Sequence, residues 1–468
     1  MSMFEFGFDE DSTNEGRLND LIAAYEEKGT TGYFDSDALE DIAGYYFERG
    51  RLHEALGVID HLIEWQPYSS DAWMRRGVLL NNLGRHEEAL QAYEKALQLN
   101  PADTETIVNR GVTLDSLGRS MEALEAYETA LQYDPLNDEA FFNRGVTLER
   151  TDQLAQAVKA FERCADQNPD HPEVWYELGY CYDRLGEDDQ SIACYDRHID
   201  IDPYSHDAWY NRGIVLNRLE QFKEAVDSYD MAIAIQDDFA SAYYNRGNAL
   251  ANLGQLREAI ESYLRVIELE DGDAATFYNI ALAYEELEEH ETAIRYFKQA
   301  LGEEEMYAEA WYGLGCCLDA LERFGEALTY FERAVEINRD VEEFWYAKAD
   351  CEYNAGQTDD ALVSYSILLN LNPHNQEAWV DFAETLFEAQ RLDDALASYH
   401  RALQLKPDCA STYFRQARAL FAMGQTDESI RSLQTAFRLD PKKRDEFQRT
   451  YPDLFRDACI RRRLGLDG

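Results

Sequence analysis

Large apolar residues return every 34 positions along almost the whole of this chain, and that period constrains the fold more than any other feature. Stepping forward from Trp73 gives Ile107, Phe141, Trp175, Trp209, Tyr243, Phe277, Trp311, Trp345, Trp379 and Tyr413, and stepping back gives Leu39. Four residues later comes a small residue in every unit: Ala43, Gly77, Gly111, Gly145, Gly179, Gly213, Gly247, Ala281, Gly315, Ala349, Ala383 and Ala417. Twelve units run from Ser36 to about Lys443 without insertion or deletion. A fixed period of this size marks a repeat array in which no unit buries its own faces, so neighbours must stack.

Within a unit the pattern is that of two helices. Trp73, Gly77 and Leu80 share one helical face at i, i+4, i+7, and Ala89, Tyr93 and Ala96 do the same in the second half. Gly84, Gly118, Gly186 and Gly254 fall between the halves, where a helix C-terminus favours a left-handed residue. A proline closes eight units: Pro67, Pro101, Pro135, Pro169, Pro203, Pro373, Pro407 and Pro441. It cannot continue a helix and therefore opens the next turn. It is replaced at Asp237, Asp271, Glu305 and Arg339, a consecutive block expected to have looser turns and to act as a hinge.

The run "WYELGYCYDRLGEDDQSIACYDRHIDIDP" (175–203) carries almost the whole pattern, and on it the chain resembles the tetratricopeptide repeat family. The resemblance implies an all-α fold, an α-α superhelix: a right-handed solenoid of antiparallel helix pairs. Residues 36–443 form the twelve repeats, 1–35 an acidic segment with a capping helix, and 444–468 a capping helix with a basic tail. The family usually has leucine where this chain has Arg76, Arg110, Arg144, Arg212 and Arg246, and Arg246 is expected to pair with the carboxylates of a neighbouring helix. Arg461, Arg462 and Arg463 are expected to be a solvated end.

Charge narrows the partner. Asp plus Glu number 92 against 43 Lys plus Arg, a net charge of −49. Such a field repels nucleic acid and anionic lipid. Lysine is scarce beside arginine, and the acid excess fits either a cytosol of high salt, where self-repulsion is screened, or an acidic partner-binding protein of an ordinary cytosol. No apolar run is long enough to span a membrane. The acidic start lacks the basic region of a secretory signal, and the eight cysteines contain no CxxC pair, so a reducing cytoplasm is expected.

No phosphate loop, nucleophile elbow or metal-ligand spacing is found, so neither catalysis nor a cofactor nor a metal is expected. His198 and His206 do not have ligand spacing. Cys317, like Cys181 and Cys351, stands where the family has a small core residue, so the vicinal Cys316–Cys317 is read as packing. Glu352 replaces an apolar residue, and Lys348 four positions earlier is expected to pair with it at the surface.

In the family the first helices line the concave side. The matching positions here form three stripes. The fifth is aromatic, with Phe142, Tyr176, Tyr210, Tyr244, Tyr278, Tyr312 and Tyr346. The sixth carries Asn109, Asn143, Asn211, Asn245 and Asn279, interrupted by Glu177. The second is acidic, from Asp71 to Glu377, which would favour a cationic or neutral peptide. An asparagine amide both donates and accepts, so a row of them can hold a main chain of any sequence. The row is similar to the asparagine ladder in the repeats of O-linked N-acetylglucosamine transferases, without a transferase domain. The expected function is a scaffold that binds an extended peptide or protein in this groove. The alternative is a regulatory or targeting subunit of a separate enzyme that uses its convex face or its ends.

Overall fold

The computed structural model describes residues 12–29 and 32–466, and no strand is present among them. A helix, Ser12–Lys28, precedes twelve helical pairs, of which Ser70–Asn82 with His86–Leu99 is typical. After the last pair come three short helices, Lys443–Thr450, Pro452–Arg456 and Ala458–Leu464. No described helix is long and apolar enough to cross a membrane. The chain forms two compact units, Met1–Asp237 and Asp238–Gly468, and the division falls at the first of the proline-less turns.

Where the small residue is glycine, it lets a ring in. A methyl carbon placed on Gly213 would lie 2.6 Å from the Tyr229 ring, and one on Gly179 would lie 2.8 Å from Tyr195. No ordinary side chain tolerates such an approach, so the first helix leaves a notch that the second fills. The repeat with Ala281 solves this differently. Behind Ala281 the Phe297 ring lies against the backbone of Gly313 in the following repeat, where any Cβ would meet it. Position 313 is a ladder position, so the asparagine row stops there for a steric reason.

The turn between paired helices is left-handed in all twelve repeats. Glycine supplies it at Gly50, Gly84, Gly118, Gly186, Gly254, Gly356 and Gly424, but Asp152, Glu220, Glu288, Glu322 and Gln390 take the same conformation at φ 58–60°. Its two backbone bonds persist without glycine. Gly84 N donates to Asn81 O at 2.9 Å and Arg85 N to Leu80 O at 2.8 Å, while Glu220 N donates to Asn217 O at 3.1 Å and Gln221 N to Leu216 O at 2.9 Å. Each non-glycine residue there costs about 1–2 kcal/mol of backbone strain. The loop between repeats is equally indifferent to proline. Trp73 Nε1 donates to Pro67 O at 3.1 Å, and Trp311 Nε1 donates to Glu305 O at 2.8 Å in a proline-less turn. Trp345 repeats this with Arg339 O at 2.9 Å.

Each unit has a capped end. Ile22, with Leu18, Leu21 and Tyr25 beside it, joins the first repeat's core. Phe447, Ile460 and Leu464 close the last repeat over Leu433 and Phe437. The basic tail is largely solvated, with Arg462 and Arg463 exposed, and it also touches that closure. Arg463 Nη2 donates to Asp427 Oδ1 at 2.6 Å, and the Arg461 guanidinium lies 5.5 Å from the centre of the Phe455 ring.

Polar groups enter the stack where the family has leucine. Arg76 Nε donates to Asp60 Oδ1 at 2.8 Å and Arg212 Nε to Asp196 Oδ1 at 2.6 Å, each reaching the second helix of the preceding repeat. Arg212 and Arg246 also donate to Ser228 and Ser262 of their own second helices, at 2.6 and 2.7 Å. Lys348 occupies the same repeat position and binds Ser364 at 3.2 Å and Glu352. Glu352 is only 3% exposed, so this pair is buried, contrary to the surface pair expected from i, i+4 spacing. Ser364 supplies the extra partner that keeps the lysine inside.

Candidate peptide-binding face

The aromatic stripe is half ladder and half core. Each fifth-position ring packs on the ring that fills the notch of its own repeat. Ring centres lie 5.9 Å apart for Tyr176–Tyr195, 6.0 Å for Tyr210–Tyr229, 5.9 Å for Tyr244–Tyr263, 5.8 Å for Tyr278–Phe297 and 6.0 Å for Tyr312–Phe331. Most are tilted or edge-on, the favoured aromatic geometries. The five tyrosines are half-buried, whereas Phe142 is wholly inside, packed on Phe161 and His171. Tyr278 and Tyr312 also stack on Tyr307 and Phe344, at 4.8 and 4.9 Å.

The asparagines are half-buried on the first helices, and several are tied to the aromatic stripe. Asn211 Nδ2 donates to the Tyr176 hydroxyl at 3.0 Å, and Asn279 Nδ2 donates to the Tyr244 hydroxyl at 3.1 Å. In both, a ladder amide is held by the ring of the preceding repeat. Asn279 also approaches Asn248 Oδ1 at 3.3 Å, which accepts from Tyr263 at 2.8 Å. Asn109 faces Met74 Sδ at 3.9 Å, and Asn143 turns back to Glu139 O at 2.8 Å. Neither Asn245 nor Tyr210 is without a partner.

Further on, charge replaces amide. Tyr346 donates to Asp381 Oδ2 at 2.6 Å, with Asp381 in the ladder register. Tyr399 donates to Glu384, which is ion-paired with Arg418. The thirteenth-position arginines are all occupied. Arg150 binds Asp115, Arg218 binds Asp183 and Asp188, and Arg184 Nη2 binds Asp152 Oδ1 at 3.0 Å. Burial, then the charge of Glu149 and a hydrogen bond with it, push Glu177 up to about 8. Burial pushes Glu285 to about 6. Sequence reading missed Asn248, Glu149 and Glu384, whose signal was their ninth and twelfth repeat positions.

Among the described residues no group of three or more His, Cys, Asp or Glu side chains is arranged to hold a metal ion. His198 is buried against Tyr176, and burial lowers its pKa. Cys181, Cys317 and Cys351 are wholly buried, and burial raises their thiols, which suits inert packing.

Models of tetratricopeptide repeats match residues 70–103, 108–163, 148–206, 240–273, 278–342, 345–409 and 386–450, and a TPR repeat model matches 215–254. The chain belongs to the tetratricopeptide repeat family. No curated protein matches it. Among solved structures, a TPR protein, YrrB, described as having an unusual peptide-binding site, is 26% identical over 39% of this chain and 95% of its own, with a TM-score of 0.35. MamA is 24% identical over 36% of this chain and 92% of its own, at a TM-score of 0.35. A chain of the APC/C hetero-tetramer Cut9–Hcn1 is 14% identical over 88% of this chain and 94% of its own, at 0.42. TPR repeats are protein-interaction modules, and that general role applies to this chain.

Proposed function

We propose that this tetratricopeptide repeat protein is a non-catalytic cytoplasmic scaffold that holds an extended segment of a partner protein along its first-helix face. Asn109, Asn143, Asn211, Asn245 and Asn279 address the main chain of the segment. Tyr176, Tyr210, Tyr244, Tyr278 and Tyr312 offer flat contact area at low entropic cost. The observation that carries this reading is the bond from Asn211 to Tyr176, repeated by Asn279 and Tyr244. Asn211 spends one N–H on this bond and has a second N–H and a carbonyl oxygen to give, while Asn279 engages Tyr244 and Asn248 through its N–H groups and has its carbonyl oxygen to give. A net charge of −49 disfavours nucleic acid as the partner.

The test is capture from a native lysate at high salt by wild type and by the triple variant Asn109→Ala, Asn143→Ala, Asn211→Ala. Loss of the captured partner with an unchanged helical spectrum is expected. Undiminished capture removes the asparagines from recognition. A second reading, a targeting subunit that docks elsewhere, is favoured by Tyr68, Leu136 and Tyr204, which stand 84%, 66% and 79% exposed on turns between repeats. Capture lost only when these three are changed to serine would decide for it.

A further inference from the structure

The Asn211 and Asn279 amides differ in what they have left to give, and the difference carries a direction. Both stand on first helices and both are half-buried. Asn211 donates once, to Tyr176, and keeps a donor and an acceptor for a partner. Asn279 donates twice, to the Tyr244 hydroxyl at 3.1 Å and to Asn248 Oδ1 at 3.3 Å, so its carbonyl oxygen alone remains. Asn279 is also the last amide of the row, because the next ladder position is Gly313.

Asn248 is the complement of Asn279. It is half-buried on Ala240–Asn252, the first helix of the preceding repeat, four residues after Tyr244. Its Oδ1 accepts from Asn279 and, at 2.8 Å, from the buried hydroxyl of Tyr263. Those two bonds occupy both lone pairs of the oxygen and settle which way the amide is turned. Tyr263 is the ring that fills the notch at Gly247, which holds its hydroxyl in place. Asn248 therefore has its two N–H groups to give. Tyr244, on the same helix, accepts from Asn279 and has its O–H to give. Donors stand on Ala240–Asn252 and the acceptor on Ala274–Glu286, and all four residues lie in the second compact unit.

The polarity of a bound strand follows. The N–H and C=O of one trans peptide unit point to opposite sides of an extended chain, so a row of side chains meets the N–H and C=O of the same residue. Along the chain that N–H precedes that C=O. A residue that donates to Asn279 and accepts from Asn248 comes from the later repeat and leaves toward the earlier one. The opposite direction would set C=O against the Asn279 carbonyl and N–H against the Asn248 N–H groups, and both pairs would go unbonded.

We infer that the partner segment runs antiparallel to the solenoid, its N-terminal end toward the later repeats of the second unit, with Asn248 as the donor to its carbonyl groups. The inference rests on the peptide-binding reading of the first-helix face and adds to it a direction and one residue.

The test uses the full-length protein and two capped hexapeptides of alanine and serine, one with a nitroxide on its first residue and one with it on its last. Extended, each spans about 20 Å. Leu250 and Leu318 are both buried and hold the same position in the repeats before and after that of Asn279. NMR of their methyl groups reads which end of the peptide is near. The label on the first residue should broaden Leu318 more than Leu250, and the label on the last residue should do the reverse. Asn248→Asp keeps the oxygens that accept from Tyr263 and Asn279 and loses the N–H groups, so it should weaken both peptides about tenfold or more with an unchanged helical spectrum. The opposite broadening, which both amides turned over would give, or equal broadening by both labels overturns the direction and leaves the peptide-binding reading standing. Undiminished binding to Asn248→Asp does the same for the role of Asn248. Failure of both peptides to bind wild type removes both readings.

Discussion

Tyr195 in the first unit and Tyr399 in the second occupy the same repeat position and have opposite surroundings. Tyr399 donates to Glu384, and Arg418 neutralises that carboxylate. Tyr195 is as deeply buried, and its hydroxyl has no hydrogen-bond partner. The difference lies in single residues on a common frame. The ninth position of the repeat is Glu384 in one and Tyr180 in the other, and Arg418 is supplied at a first-helix position of the last repeat. A repeat array can thus close a polar junction in one place and leave it open in another, without changing its period.

The comparison can be broken by substitution. The largest effect is expected from Arg418→Met. It leaves Glu384, whose side chain is 17% exposed, without its cation. Loss of one partner of such a partly buried pair should cost about 2 kcal/mol, less than for a fully buried one. Urea denaturation would read this, and an unchanged midpoint would mean that Glu384 never needed the arginine. Next come the two tyrosines. Tyr399→Phe should cost about 1 kcal/mol because it orphans a bonded carboxylate, while Tyr195→Phe should be neutral or slightly stabilising because its hydroxyl has nothing to lose. Equal losses would erase the contrast.

Asp152→Gly should relieve the left-handed strain and stabilise by about 0.5–1 kcal/mol, since glycine's own entropic cost offsets part of the gain. A separate effect is the pH dependence of Glu177. Its folded value is raised, so its contribution to stability is greatest below the ordinary carboxylate range and is lost as pH rises through about 8. Glu177→Gln should therefore flatten the fall in stability between pH 5 and pH 8.5. Parallel profiles for wild type and variant would contradict the raised value.

The frame of this protein was legible because repetition multiplies weak signals. Gly179 before Tyr195 says little once, but a small residue before a ring in unit after unit identifies the notch. The turns were half legible. Glycine announced Gly84 and Gly186, yet Glu220 and Glu322 adopt the same conformation because the packed helices on both sides dictate it. Missing prolines suggested looseness at Glu305 and Arg339, but each carbonyl still accepts the tryptophan bond. The candidate face was legible as stripes but not as bonds. That Asn211 is held by Tyr176, or that Lys348 turns inward to Ser364, depends on side-chain rotamers across neighbouring helices, which no intrahelical spacing encodes. The solvated arginine tail was legible, but its contact was not, because Asp427, the partner of Arg463, lies a full repeat away in sequence.

The account's central claim is that first-helix asparagines, set in place by tyrosine hydroxyls of the preceding repeat, address a partner's main chain. Capture from a native lysate by wild type and by the Tyr176→Phe, Tyr244→Phe double variant tests it directly. The account predicts weaker capture with unchanged helical content, because Asn211 and Asn279 lose the bonds that orient them. Undiminished capture would contradict it.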